Sequence, residues 1–322
     1  MRLFVARMRR ITRYYLLLLL VLLNATAWAA PVGFSVNSDG GDILHRIDLF
    51  NGTSIPLGAE FTDNTDIEGL AIAPDSTLWA VDEDSFSMFQ INPITGFKLL
   101  GTEVSIKGTA ANIFNDFGLT FSCDGTLYAS SVTSKTLYTI DKAGVATVVG
   151  GLSKLGFNIS ALASFGDNPT ILYGLGNGLL SENDSSPDNR SLFEINLDTG
   201  IATPIGTGIG GQVAAYHEAG LSFDDDGVLW GISDRSLLGG LNSEIFTIDT
   251  VSGVAAWKAE TIGITGFESL AIAPPGGCSI DGGNQNDDHS VEPIPAMGNL
   301  GALLTILALM LTGFTVLRRP LS

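Results

Sequence analysis

The 322-residue sequence predicts an all-β fold, a five-bladed β-propeller closed by strands from both ends of the repeat region, with six blades as the competing count. Three observations predict it. One motif order recurs five times at blade length, each repeat holds short strand-like segments separated by polar turns, and the outermost pieces of the repeat region are complementary halves of one repeat.

The repeats align on a leucine. Glu68-Gly69-Leu70-Ala71-Ile72, Phe117-Gly118-Leu119-Thr120-Phe121, Ser160-Ala161-Leu162-Ala163-Ser164, Ala219-Gly220-Leu221-Ser222-Phe223 and Glu268-Ser269-Leu270-Ala271-Ile272 are spaced 49, 43, 59 and 49 residues apart. A polar turn and an aromatic-bearing second strand follow at Leu78-Trp79, Leu127-Tyr128, Leu172-Tyr173 and Leu229-Trp230. A third strand then ends in Ile-Asp or Ile-Asn, at Ile47-Asp48, Ile91-Asn92, Ile140-Asp141, Ile195-Asn196 and Ile248-Asp249. After a glycine-containing turn, a fourth strand closes at Gly58, Gly101, Gly150, Gly206 or Gly263. A sandwich would not repeat one motif order five times. Residues 32–36 read as a second strand with no first strand before it, and residues 268–273 as a first strand with no second after it. Joined, they complete a blade and remove the free sheet edges that invite aggregation.

The flanks carry different signals. The first thirty residues hold five arginines (Arg2, Arg7, Arg9, Arg10, Arg13) and no acid, then an apolar run over residues 14–23, then Ala27-Trp28-Ala29. That is the basic, apolar and small-x-small order of a secretory signal, with cleavage directed by Ala27 and Ala29. Ten helical residues reach about 15 Å, half of a bilayer core. Residues 300–317 are uncharged and leucine-rich, long enough for one transmembrane helix of about 27 Å, and Arg318-Arg319 would hold the end inside. The expected organisation is a signal peptide over 1–29, the propeller over 30–275, a Gly-, Asn- and Asp-rich flexible linker over 276–293, and a sorting tail over 294–322.

Before the apolar stretch stands Ile294-Pro295-Ala296-Met297-Gly298-Asn299-Leu300-Gly301. With the helix and basic end, it resembles the C-terminal sorting tails of the IPTL-CTERM type, relatives of the PEP-CTERM tails handled by exosortase-like enzymes. Ile294, Pro295 and Gly301 match; Ala296 and Met297 depart, and Leu300 stands where a Trp is usual. The resemblance implies export, anchoring in the inner membrane facing the periplasm, and processing toward the cell surface or beyond.

Between the basic flanks, residues 31–317 hold 9 Lys+Arg against all 34 Asp+Glu, a formal charge of −25. Such a field excludes nucleic acid as a partner and favours cations. Only Cys123 and Cys278 are present; an oxidising compartment permits a bridge between them, and their spacing alone does not establish one.

In a propeller, loops entering the first strand share a face with loops between the second and third strands. Here that face holds the long irregular segments 102–115, 174–191, 206–217 and 233–243, while the opposite turns are short. Asp66, Glu68, Asp116, Glu218 and Glu268 precede first strands, at the expected channel mouth, with Asp82, Asp84 and Asp234 after second strands. Acids converging on a narrow mouth repel one another unless a cation or water separates them, and oxygen ligands suit Ca²⁺. The bland alternative is a solvated rim. The Glu-Gly-Leu and Glu-Ser-Leu entries resemble those of calcium-dependent propeller hydrolases of the senescence-marker lactonase class, which implies Ca²⁺ and hydrolysis at that mouth. Of the histidines between the flanks, His45 reads as packing and His289 falls in the linker, so His217 beside Glu218 is the candidate general base. There is no nucleophile elbow, zinc-spaced cluster or phosphate loop. The sequence therefore favours an exported propeller presenting a binding face to a protein partner, glycan or matrix component. A Ca²⁺-dependent lactonase- or esterase-like hydrolase is the alternative, and a ligand-free envelope scaffold the third reading.

Overall fold

Twenty strands account for the fold in a computed structural model that describes residues 31–38, 41–64, 66–109, 116–179, 187–272 and 276–278. They are β1 (Val32–Val36), β2 (Leu44–Asp48), β3 (Ser54–Leu57), β4 (Ile67–Ile72), β5 (Leu78–Asp82), β6 (Ser87–Ile91), β7 (Val104–Ser105), β8 (Phe117–Phe121), β9 (Leu127–Ser131), β10 (Thr136–Ile140), β11 (Ala146–Val148), β12 (Ile159–Phe165), β13 (Ile171–Gly176), β14 (Leu192–Ile195), β15 (Ala202–Ile205), β16 (Ala219–Phe223), β17 (Leu229–Ser233), β18 (Glu244–Ile248), β19 (Ala255–Glu260) and β20 (Ala271–Ile272). The proposed signal with Ala27 and Ala29, and the tail with Ile294, Pro295 and Gly301, lie outside the described residues. Among those described, no helix is long and apolar enough to cross a membrane.

The strands form five four-stranded antiparallel sheets, so five is the blade count. Blade 1 has the order β20-β1-β2-β3; blades 2 to 5 are β4–β7, β8–β11, β12–β15 and β16–β19. The closure expected from the sequence is present. Gly33 and Phe34 pair with Ile272 and Ala271, and Asn37 bridges Phe267. The Ser35 hydroxyl donates to the Ser269 carbonyl across the same seam.

The aligned leucines mark the strands around which the ring closes. Leu70, Leu119, Leu162, Leu221 and Leu270 line one axial space of only about 10 Å³, and a second space below holds about 20 Å³. Neither takes more than about one water, so the axis is closed by the close approach of the inner strands, while the leucines each pack in a different inter-blade cluster. Small residues let the inner strands crowd this closely. A Cβ on Gly69 would lie 2.9 Å from the Leu119 Cβ, one on Gly118 2.8 Å from the Ser160 carbonyl, and one on Gly220 2.2 Å from the Leu270 backbone nitrogen. Because the last contact is with backbone of the closing strand, Gly220→Ala forces the seam apart. It is expected to cost about 1–3 kcal/mol, read from the urea midpoint. An unchanged midpoint would show that the inner ring yields freely.

The Ile-Asp and Ile-Asn repeats cap the turns between third and fourth strands. Oδ1 of Asp48, Asn92, Asn196 and Asp249 each accepts two main-chain N–H bonds from its own turn. The glycine that follows takes a left-handed φ, 73° at Gly52 and 68° at Gly200, where a side chain is disfavoured. In four blades this glycine lies four residues after the cap and its N–H returns to the cap's carbonyl. Blade 3 is one residue shorter: Gly144 N–H bonds the Asp141 carbonyl, three residues back.

The sequence placed residues 276–278 in a flexible linker, and the structure fastens them to the propeller instead. Gly276 bridges Phe165 at the end of β12, and Cys278 is disulfide-bonded to Cys123 in the β8–β9 turn, with Cα atoms 5.3 Å apart. The chain leaving β20 is thus tied to blades 3 and 4, on the face of the short turns.

Candidate functional site at the channel mouth

At one end of the closed axis, carboxylates gather. The register of the inner strands explains which ones reach the axis. In β8 and β16 pairing is continuous, and the acid stands just outside the strand, as Asp116 and Glu218. In β4 the pairing skips a residue between Ile67↔Asp82 and Gly69↔Val81, which makes Glu68 the extra residue of a β-bulge. Around Glu268 the partners run from Phe267↔Asn37 to Ala271↔Phe34, four steps against three. Bulges re-aim the inserted side chain. Acids at two different offsets from the leucine therefore converge on one point.

Glu68, Glu218 and Glu268 each bring one carboxylate oxygen to within 4.8 Å of the other two. Glu68 and Glu268 are buried and Glu218 is partly so. Asp116 hydrogen-bonds Glu218, and Asp66 hydrogen-bonds Glu68. All five acids expected at the mouth are thus electrostatically linked. Burial first, then the Glu268 charge, holds the Glu68 and Glu218 carboxyls well above the usual carboxylate range. Burial also raises Asp66, with the charges of Asp84, Asp82 and Asp116 adding to it while the Glu68 hydrogen bond opposes it. Without a cation, such a set keeps protons that exposed carboxylates release.

Two residues the sequence did not single out belong here. The Ser38 hydroxyl donates to Glu268 Oε2. Ser160, at the bulge of β12 (Ile159↔Gly176, then Ala161↔Leu175), lines the same axial space. Its hydroxyl is buried with no hydrogen-bond partner among the described residues. A bulge serine two before the aligned leucine, where the other bulges carry glutamate, is the signal that could have found it.

Asp82 and Asp234 act on backbone. Asp82 Oδ2 accepts the Asp66 N–H at 3.1 Å and Oδ1 the Ser85 N–H at 2.7 Å. Asp234 Oδ1 accepts the N–H groups of Ser236 and Gly266, both at 2.9 Å. Each thereby fixes the chain that enters an inner strand. The His217 side chain stands outside the three-glutamate group. Its main-chain N–H donates to the Asp234 carbonyl at 3.1 Å, and its Nε2 is buried without a partner among the described residues. His45 is packing, as expected: it meets Phe267 edge-on at 5.1 Å, and burial lowers its pKa to about 4, so it stays neutral.

The loop over 206–217, expected as an open functional segment, is built into the core. Ile209, Val213 and Tyr216 are buried in the cluster of blades 4 and 5. Arg190 donates to the Val213 and Ala214 carbonyls, and Glu244 Oε2 accepts the Ala214 N–H at 2.7 Å. This loop is a fixed wall beside Glu218.

No family model matches the chain, and no curated protein matches it. Solved structures do resemble it. A chain from a study of the de novo evolutionary emergence of a symmetrical protein is 18% identical, with 76% of this chain and 98% of that one covered and a TM-score of 0.47. Virginiamycin B lyase from Staphylococcus aureus is 15% identical over 76% of this chain and 75% of that one, with a TM-score of 0.41. A gluconolactonase from Xanthomonas campestris is 13% identical over 76% and 84%, with a TM-score of 0.43. At these scores the likenesses say nothing of activity, and the fold rests on the strand pairing itself.

Proposed function

We propose that the protein is an exported propeller that binds a divalent cation, Ca²⁺ by its donor set, at the channel mouth and uses it to hold an oxygen-rich ligand such as a glycan or matrix component. Export and anchoring rest on the basic-apolar-small order over 1–29 and the tail over 294–322. The observation that carries the cation is the three-glutamate group. Oxygens within 4.8 Å of one another on a triangle stand no more than about 2.8 Å from its centre, close to the Ca²⁺–oxygen range of about 2.3–2.6 Å. Ser160 supports the reading as a buried oxygen with an unmet hydrogen bond on the same space. Ca²⁺ takes six to eight oxygens, so coordination positions remain for a ligand. With the axis closed below, those positions open toward the loop face.

Titrating the purified chain with CaCl₂ while following its melting temperature tests this. At a hundredfold excess over Kd the stabilisation is about 2.7 kcal/mol, or about 5–10 °C for a domain of this size. Glu68→Gln with Glu268→Gln should abolish the shift. No shift at millimolar Ca²⁺ would remove the cation from the proposal. The hydrolase reading is favoured by one observation, the position of His217 next to Glu218 beside the mouth. A lactone and ester panel run on the wild type and on Glu218→Gln decides it: turnover lost in the variant supports it, and no turnover ends it.

A further inference from the structure

A cavity among the described residues lies away from the acidic mouth, on the face of the short turns, between blades 2 and 3. Its volume is about 570 Å³, within the range of small-molecule sites. The floor is apolar, formed by Trp79, Met88 and Phe121, and the rim carries Asp75, Asp124, Asp141 and Lys142.

Internal repetition sets this interface apart from three others. At three other interfaces, the residue after the Asp or Asn cap shares a cluster or a hydrogen bond with the second-strand aromatic of the neighbouring blade. Leu49 packs in one cluster with Trp230, and Phe50 adds an edge-on contact with that ring at 5.6 Å. Leu197 packs in one cluster with Tyr128. Thr250 hydrogen-bonds Tyr173. The position facing Trp79 belongs to blade 3, whose turn is one residue shorter and carries Lys142, which is exposed. Trp79 is buried here by other neighbours, Phe121 among them, and the turn facing it brings a lysine to the rim where the others bring leucine or threonine.

The rim has three carboxylates against one ammonium. Asp75, Asp124 and Asp141 each use Oδ1 to hold their own turns, accepting main-chain N–H groups at 2.9–3.1 Å. Their charges remain around the opening. An aromatic and sulfur floor under a net negative rim is complementary to a small organic cation with a flat apolar body. We propose that this groove is a binding site for an arylalkylammonium-type ligand, independent of the cation at the mouth.

The test uses phenethylammonium, with 3-phenylpropionate and butylammonium as matched probes, titrated into the purified chain by calorimetry with Trp fluorescence in parallel. Phenethylammonium should bind at least about tenfold more tightly than either probe, since like charge at the rim opposes the carboxylate and the alkylamine lacks the ring. Lys142→Leu installs the cap of blades 1 and 4 and should abolish binding. It also makes the rim more negative, so a charge effect alone would tighten binding and only occlusion loosens it. Asp75→Asn keeps the turn-holding oxygen and should weaken binding about two- to fivefold. Glu218→Gln should leave it unchanged. Binding that survives in a folded Lys142→Leu, that is lost in Glu218→Gln, or that prefers the carboxylate overturns the proposal. If Lys142→Leu does not fold, an unchanged affinity in Asp75→Asn overturns it.

Discussion

Replacing Cys123 and Cys278 together by serine is expected to lower the stability of the propeller by about 4–5 kcal/mol. The bond spans 155 residues, so in the unfolded chain it closes a long loop and removes much of that chain's freedom. The native state adds a local reason. The closing strand β20 contributes only Ala271 and Ile272 as regular strand, and beyond it the tie to blades 3 and 4 is the Gly276 bridge and this bond. Without the bond, the closing strand is held at the seam chiefly by its short pairing with β1. For a domain of this size the loss corresponds to about 10 °C or more in the melting midpoint. Wild type in excess reductant should melt with the serine pair. A serine pair that melts with oxidised wild type would falsify the view that the bond holds the ring shut.

The second large effect concerns the glutamates and pH. Glu68 and Glu218 are held well above the usual carboxylate range in the fold. Groups displaced upward bind protons more tightly in the folded chain than in the unfolded one. Their favourable contribution is therefore complete below the ordinary glutamate value and is lost as pH rises through the folded value. The cation-free propeller should be most stable near about pH 5 and lose stability toward about pH 8. On the acid side the limit is opposite in sign. Asp75, Glu103 and Asp124 are held below their ordinary values, chiefly by side-chain hydrogen bonds from Thr77, Lys98 and Ser122. Their contributions are present above the ordinary carboxylate range and vanish as pH falls through the folded values. Each pH unit of upward displacement costs about 1.4 kcal/mol when the group ionises. Glu68→Gln with Glu218→Gln should thus raise the alkaline melting midpoint without cation, and flatten the profile. Ca²⁺ should do the same for wild type at about pH 8 and little at about pH 5, where protons already occupy the site. A cation-free midpoint that climbs steadily from pH 5 to pH 8 would show that the glutamates do not repel.

The repeat architecture was legible because each blade reuses one hydrophobic pattern and one turn. Five copies of a leucine entry and an Ile-Asp or Ile-Asn exit leave little freedom of interpretation. Closure was legible for the same reason, since residues 32–36 and 268–273 complete one pattern. The five acids could be placed at the mouth, but not ranked. Which of them meet depends on bulges at Glu68 and around Glu268, and a bulge is one residue of register that no composition reveals. Asp82 and Asp234 looked like site acids because an exposed carboxylate and one that clamps backbone are written with the same letter. The disulfide was left open because Cys123 and Cys278 approach only once the ring is closed. The side groove is legible only afterwards: the missing residue in Asp141-Lys142-Ala143-Gly144 is visible in the sequence, but its meaning needs the neighbouring blade.

A propeller whose inner strands close the axis is a cup rather than a conduit. Whatever enters the acidic mouth leaves by the same door, so exchange there should follow a single route whose rate depends on the walls around that opening. The groove on the opposite side has its own door. Occupancy of one site then carries no message to the other through the axis, and effects of changes at the two should simply add.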